Sequence, residues 1–175
     1  MCGINGYIQY KNKIDREKIG NLINQMNDKI IHRGPDEDGV FVDDNIGMGM
    51  RRLSIIDVST GKQPIYNEDK SLVIVLNGEV YNYKSIRENL ISKGHVFATT
   101  SDTETVLHCF EEYGNKCFEK LNGMFGFAIY DLKNKKVTVA RDRVGEKPLY
   151  YYKDTERFMF ASELKSIISG GFVKK

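Results

Sequence analysis

The chain has 175 residues, 41% of them hydrophobic and 29% charged, which suits one domain able to bury its own core. Its 26 Lys and Arg are interspersed with 24 Asp and Glu, leaving a net charge of +2. That pattern excludes the basic stripe of a nucleic-acid binder, and the densest basic run (Lys133, Lys135 and Lys136) reads as a charged turn.

The first strand is expected at residues 3–10, almost at the start of the chain. From Asp15, a suitable N-cap, the residues Ile19, Leu22, Ile23, Met26 and Ile30 recur at helical spacing. His32-Arg33-Gly34-Pro35-Asp36 has the chemistry of a turn, and short strands follow at 39–42 and 47–52. A loop through Gln63-Pro64 precedes a continuous apolar run at 72–76, of the length of a buried strand, which runs into Asn77-Gly78-Glu79. A second helix is expected at 83–93 with Gly94 as its C-cap. A third starts at Ser101-Asp102, where Ser101 and Glu104 have capping-box spacing, and stops at Gly114. The last third reads as strands at 124–130, 136–140, 148–152 and 158–161, then a short helix at 162–168. Strands on either side of a helix pair predict an α+β fold in one domain, 1–175.

Three cysteines, Cys2, Cys109 and Cys117, form an odd set with no metal-site spacing, which argues against a disulfide framework and a structural zinc site. No apolar run approaches the ~20 residues that span a membrane. The first residues also lack the basic and apolar regions of a signal peptide. The expectation is a cytoplasmic, reduced protein with no metal, no nucleic-acid partner and no membrane partner.

Cys2 is the first residue with chemical promise. A small side chain at position 2 permits removal of Met1, and the freed α-amine can then serve as general base for its own thiol. Its bland alternative is a small buried hydrophobe. Asn77-Gly78 reads either as a hairpin turn or as an oxyanion hole built from the Asn77 amide and the Gly78 N–H. Arg52 can grip a carboxylate with two parallel hydrogen bonds, while Glu79 and Asp102 can face an ammonium group. Taken singly, each of these charges also fits a surface or capping role.

Together these pieces resemble a known family. Met-Cys-Gly-Ile at the start, His-Arg-Gly-Pro-Asp at 32–36 and Arg-Leu-Ser-Ile-Ile-Asp at 52–57 are followed by Gln63-Pro64, Asn-Gly-Glu-Val-Tyr-Asn at 77–82 and Ser-Asp-Thr-Glu at 101–104. Arg-Asp-Arg-Val-Gly at 141–145, Lys-Pro-Leu-Tyr at 147–150 and Ala-Ser-Glu at 161–163 continue the order. Across its length the chain resembles the glutamine amidotransferase domain of glutamine-hydrolysing asparagine synthetases, a class II, Ntn-type amidotransferase. The resemblance implies a four-layer αββα sandwich, with two antiparallel sheets between helix layers. It implies Cys2 as nucleophile, Asn77 and Gly78 as oxyanion hole, and Arg52 on the glutamine α-carboxylate beside Leu53, Ser54, Ile55 and Ile56. Glu79 and Asp102 would receive the α-ammonium, and Arg33 with Gly34 would shape the loop over the nucleophile.

The implied reaction is hydrolysis of L-glutamine to glutamate and ammonia through a Cys2 thioester, with no cofactor in this domain. Ammonia would pass to a C-terminal synthetase domain that uses ATP and Mg to amidate aspartate. No phosphate loop of that kind is present, since Ser169-Gly170-Gly171 leads into Phe172. The expectation is therefore a glutaminase half whose synthetase domain lies outside this chain, with a homodimer left open. Two alternatives stand beside it: the same glutaminase half serving another carboxylate acceptor such as a sugar acid, or a catalytically silent docking domain.

Overall fold

A computed structural model describes residues 2–11, 13–53 and 61–173. Ser54, Ile55 and Ile56, expected along one side of the substrate pocket, lie outside the described residues. Alternating apolar residues build two antiparallel sheets, and both faces of each are covered. The first runs in the order β2-β3-β1-β9-β8, from strands β1 (Gly3–Gln9), β2 (Glu37–Asp43), β3 (Ile46–Arg52), β8 (Tyr150–Lys153) and β9 (Arg157–Ala161). The second is β4-β5-β6-β7, from β4 (Ile65–Tyr66), β5 (Leu72–Val80), β6 (Gly123–Asp131) and β7 (Lys136–Arg141).

Strand period 2 sorts β5 cleanly. Val73 and Val75 face the other sheet, joining Ile4, Met48, Met50, Ala128 and Phe160 in the central core. Leu72, Ile74, Leu76 and Val80 face outward, onto α2 (Tyr83–Ser92), α3 (Asp102–Tyr113) and the short α4 (Cys117–Lys120). On the opposite outer layer, α1 (Arg16–Asp28) and α5 (Leu164–Ser169) cover Tyr7, Met159 and Ala161 of the first sheet. The four layers are those expected of an Ntn-type αββα sandwich.

Local chemistry explains the element ends. Asp15 caps α1 by accepting the Glu17 N–H at 2.9 Å, as its position predicts. At α3, Ser101 Oγ accepts the Glu104 N–H at 3.2 Å, but Glu104 does not close the box on Ser101. Its carboxylate reaches further back, to the N–H groups of Ala98 (2.7 Å) and Thr99 (2.6 Å), and ties down the loop ahead of the helix.

Four boundaries differ from the sequence reading. β4 and α4 are too short to leave a periodic signal, β8 starts two residues later than expected, and α5 begins at Leu164. More telling, Asn77-Gly78-Glu79 is not a turn. β5 keeps its register with β6 through Val80↔Gly123, so these residues are the last rungs of a central strand.

Helix α1 lies close over β3 because β3 carries glycines beneath it. A Cβ on Gly49 would sit 2.6 Å from Ile23 Cγ2 and from Asn27 Oδ1, the atom that accepts the Asn5 amide. Gly49→Ala should therefore lower unfolding stability by ~1–3 kcal/mol through overpacking. Urea melts would check this, and an unchanged midpoint would mean that α1 does not bear on Gly49.

Candidate active site

The open end of the central layer gathers the polar residues. Cys2 directly precedes β1 and packs at the edge of the core between the sheets. Asn77, two residues beyond Val75, is buried at 1% exposure, and by strand alternation its side chain takes the same face. Both line one cavity with Arg52, Leu53, Gln63, Gly78, Glu79, Asp102 and Lys147. Every expected pocket residue within the described segments is therefore in one place.

The start of β1 is held from three sides. Ile4 donates its N–H to Ser162 Oγ (3.0 Å) and accepts the Ser162 N–H (2.8 Å). Arg33 Nε donates to the Cys2 carbonyl at 2.8 Å, and Arg33 Nη1 pairs with Glu163 at 3.2 Å. Burial alone would raise the Glu163 carboxyl, yet hydrogen bonds from His32, Lys165 and Arg33 bring it down to about 2. The Cys2 thiol donates to the Leu53 carbonyl at 3.6 Å. Gly34 shapes the neighbouring turn by its lack of a side chain. A Cβ there would come within 2.3 Å of the Arg51 carbonyl carbon, so only glycine lets this turn back onto the Arg51–Arg52 peptide.

The opposite wall is the edge of β5. Phe125, the register partner of Gly78, directs both its backbone groups to Asp142: its N–H meets Oδ2 at 3.2 Å and its carbonyl accepts the Asp142 N–H at 2.8 Å. In an antiparallel ladder this makes Gly78↔Phe125 a non-hydrogen-bonded pair, so the Gly78 N–H turns to the other edge of β5. On that edge the Gln63 carboxamide occupies Leu76, accepting its N–H at 2.7 Å and donating to its carbonyl at 3.2 Å. Asp102 Oδ2 accepts the Val80 N–H at 2.9 Å. The Gly78 N–H opens between these two occupied positions, into the cavity. Gly78 itself has φ +147°, and a Cβ would stand 2.0 Å from the Met124 carbonyl oxygen, so no other residue fits.

Asn77 Nδ2 is buried and has no hydrogen-bond partner among the described residues. An orphaned amide donor is costly unless something else satisfies it. With the Gly78 N–H and Cys2 on the same cavity, it can hold an oxygen that becomes negative when a thiolate attacks a carbonyl.

Arg52 is buried and paired through Nη1 with Glu37 Oε2 at 2.9 Å. Glu37 faces it across the β2–β3 ladder. Asp102 begins α3, and burial pushes its carboxyl above the ordinary range, helped by the neighbouring Glu79 charge and opposed by backbone N–H bonds from Val80 and Thr103. A cation and a carboxylate thus line one cavity. Gln63, Thr103, Met124 and Lys147, to which the sequence alone attached no role, also line it. Gln63 and Lys147 sit in quoted motifs, but a buried carboxamide closing a strand edge leaves no periodic trace. Lys147 is delivered by a loop folded around Asp142, which accepts the N–H groups of Glu146 (2.8 Å) and Lys147 (3.0 Å).

Comparison with known proteins agrees with this geometry. A family model described as a glutamine amidotransferase domain matches residues 1–175. The glutamine-hydrolyzing asparagine synthetase 1 of Bacillus subtilis (strain 168) is 45% identical over 168 residues, 96% of this chain and 27% of that protein. Asparagine synthetase 3 of Arabidopsis thaliana, also described as glutamine-hydrolyzing, is 38% identical over 95% of this chain and 28% of its own. The chain thus spans just over a quarter of the length of these curated relatives. Among solved structures, the allosteric regulatory enzyme of purine biosynthesis superposes with a TM-score of 0.79 at 20% identity, covering 97% of this chain and 43% of that one. Glutamine phosphoribosylpyrophosphate amidotransferase from B. subtilis gives 0.72 at 18% identity, covering 97% and 44%. These two establish the shared fold.

The Asp102 carboxyl gives a direct test of the site's electrostatics. Because its folded pKa is raised, its contribution to stability is fully present below the unfolded pKa and lost as pH rises through the folded value. Asp102→Asn keeps an acceptor for Val80 and removes the charge. Its stability relative to the parent should rise between acidic pH and neutrality in thermal melts across that range. A pH-independent difference would show that burial does not strain the carboxylate.

Proposed function

Because the chain belongs to the glutamine amidotransferase domain family, we propose that this cavity hydrolyses L-glutamine with Cys2 as nucleophile. The observation that carries the reading is the buried Asn77 Nδ2, unpartnered among the described residues, on the cavity that also holds Gly78 and Cys2. Arg52 grips the α-carboxylate, and Asp102 with Glu79 receives the α-ammonium, which restores the charge that burial disfavours on Asp102.

Removal of Met1 exposes the α-amine of Cys2. That amine takes the thiol proton, and Sγ attacks the side-chain amide carbon. The oxygen, now negative, is held by Asn77 Nδ2 and the Gly78 N–H. Collapse of the tetrahedral adduct breaks the C–N bond while the ammonium returns its proton to the leaving nitrogen, giving ammonia and a γ-glutamyl thioester. Water, deprotonated by the same amine, attacks the thioester and releases glutamate and the thiol. No cofactor enters these steps. Arg33 fixes the Cys2 carbonyl, so that amine and thiol keep one orientation toward the bound amide.

The relatives are far longer than this chain and are described as glutamine-hydrolyzing asparagine synthetases, which supports a second unit that consumes the ammonia. In this reading that unit is an ATP- and Mg-dependent synthetase acting on aspartate. A reduced, cytoplasmic setting suits the free thiols of Cys2, Cys109 and Cys117. Among the described residues no helix is long and apolar enough to cross a membrane.

Glutamate release from L-glutamine tests the assignments separately. Asn77→Ala should lower kcat by ~10²–10³ with little change in KM. Arg52→Lys retains a cation for Glu37 but loses the planar fork, so KM should rise roughly tenfold, ~1.4 kcal/mol, with kcat nearly kept. The reverse pattern, a pure KM effect at Asn77 or a pure kcat effect at Arg52, would reject the assigned roles.

A further inference from the structure

On the outer helical layer, far along α3 from Asp102, four side chains from three segments converge: Glu68 from the β4–β5 loop, His95 from the α2–α3 loop, and His108 with Glu111 from α3. Their ligand-type atoms all lie within 4.8 Å of one another. We propose that they form a binding site for a first-row divalent cation, zinc above all, with a structural role separate from the glutamine pocket.

Four donor–donor distances lie near those of a tetrahedral shell, the two to Glu68 running to different oxygens of its carboxylate. Atoms ~2.0–2.2 Å from a tetrahedral zinc lie roughly 3.3–3.6 Å apart. Here His108 Nδ1 stands 3.1 Å from Glu111 Oε2 and 3.3 Å from Glu68 Oε2. His95 Nδ1 stands 3.5 Å from Glu111 Oε2 and 3.7 Å from Glu68 Oε1. Two imidazoles and two carboxylates suit zinc, whereas magnesium and calcium prefer all-oxygen shells. The two carboxylates balance the charge of a dication when both rings are neutral.

The surroundings resemble the outer shell of a metal site rather than a chance cluster. His95 turns its other nitrogen to a further carboxylate, Nε2 meeting Glu112 Oε2 at 3.3 Å, while His108 Nε2 lies 3.6 Å from Glu104 Oε1 without a hydrogen-bond partner among the described residues. Such carboxylate–imidazole–metal arrangements fix ring orientation and tautomer. Glu111 Oε1 accepts the Asn67 amide at 2.9 Å, which orients the other ligand oxygen. His108 is 0% exposed, and the Phe97 ring packs against it at a tilt, with centroids 4.4 Å apart, on the inner side. Glu68 and Glu111 form the exposed side of the cluster and His108 the buried side, so an ion held there would pin two loops to α3. A metal was not expected from the sequence, because these ligands come from three segments with no motif spacing among them.

The 175-residue chain, stripped with a chelator, should bind one Zn²⁺ per molecule in competition with a chromophoric indicator, and its thermal midpoint should rise on binding. Co²⁺ should give the intense visible absorption of a tetrahedral ion, with no thiolate charge-transfer band and unchanged in Cys2→Ala. Glu68→Gln, on a surface loop where folding is not at stake, should weaken binding by roughly tenfold or more, and His95→Gln likewise. Absence of binding, a thiolate band that vanishes in Cys2→Ala, or affinity untouched by Glu68→Gln would overturn the proposal and leave the cluster an ion-pair network.

Discussion

The edge of β5 between Leu76 and Val80 is where fold and chemistry meet. A strand edge normally offers its amides to another strand or to water. Here Gln63 closes the rung at Leu76 and Asp102 closes the rung at Val80. The intervening Gly78 amide is directed into a cavity instead. Since Phe125 commits its own backbone groups to Asp142, the orientation of Gly78 is set from the far side of the sheet as well. One glycine in a conformation that other residues avoid completes the arrangement. If Gly78 is the oxyanion donor proposed above, it is in place before any substrate arrives and needs no reorganisation as charge develops.

The facing wall depends on a different device. A chain terminus tends to fray, so a nucleophile at residue 2 needs an anchor within a few residues. Ser162 binds both backbone groups of Ile4, and Arg33 holds the Cys2 carbonyl while paired to Glu163. Arg33 comes from the turn after α1, and Glu163 from the start of the last helix. The position of Cys2 is thus set by contacts between segments more than a hundred residues apart. Arg52 and Asp102 add a cation and a carboxylate to the lining of the same cavity.

Much of this was legible in the sequence. The apolar run of β5, the spacing along α1 and the caps at Asp15 and Ser101 carry their elements directly, because each obeys a local rule. The order of motifs from Cys2 to Glu163 carried the family resemblance, and the pocket residues it named within the described segments line one cavity. What escaped the sequence was non-local. Asn-Gly looks like a hairpin turn until β6 is seen running alongside it as far as Gly123. Gln63 reads as a loop residue until it is found closing a strand edge, and Lys147, quoted only as part of a motif, is buried by a turn around Asp142. Glu68, His95, His108 and Glu111 are individually unremarked; only the packing of two loops against α3 brings them together.

If the free α-amine and thiol of Cys2 form the catalytic pair on this cavity, the covalent adduct must sit on the first residue of the mature chain. Rapid acid quenching of the chain with L-glutamine, followed by mass spectrometry of its N-terminal peptide, tests this most directly. The expected result is a peptide beginning at Cys2 and carrying a γ-glutamyl group on that thiol during turnover. A chain that releases glutamate while its N-terminal peptide still begins at Met1, or while the γ-glutamyl group resides on Cys109 or Cys117, would contradict it.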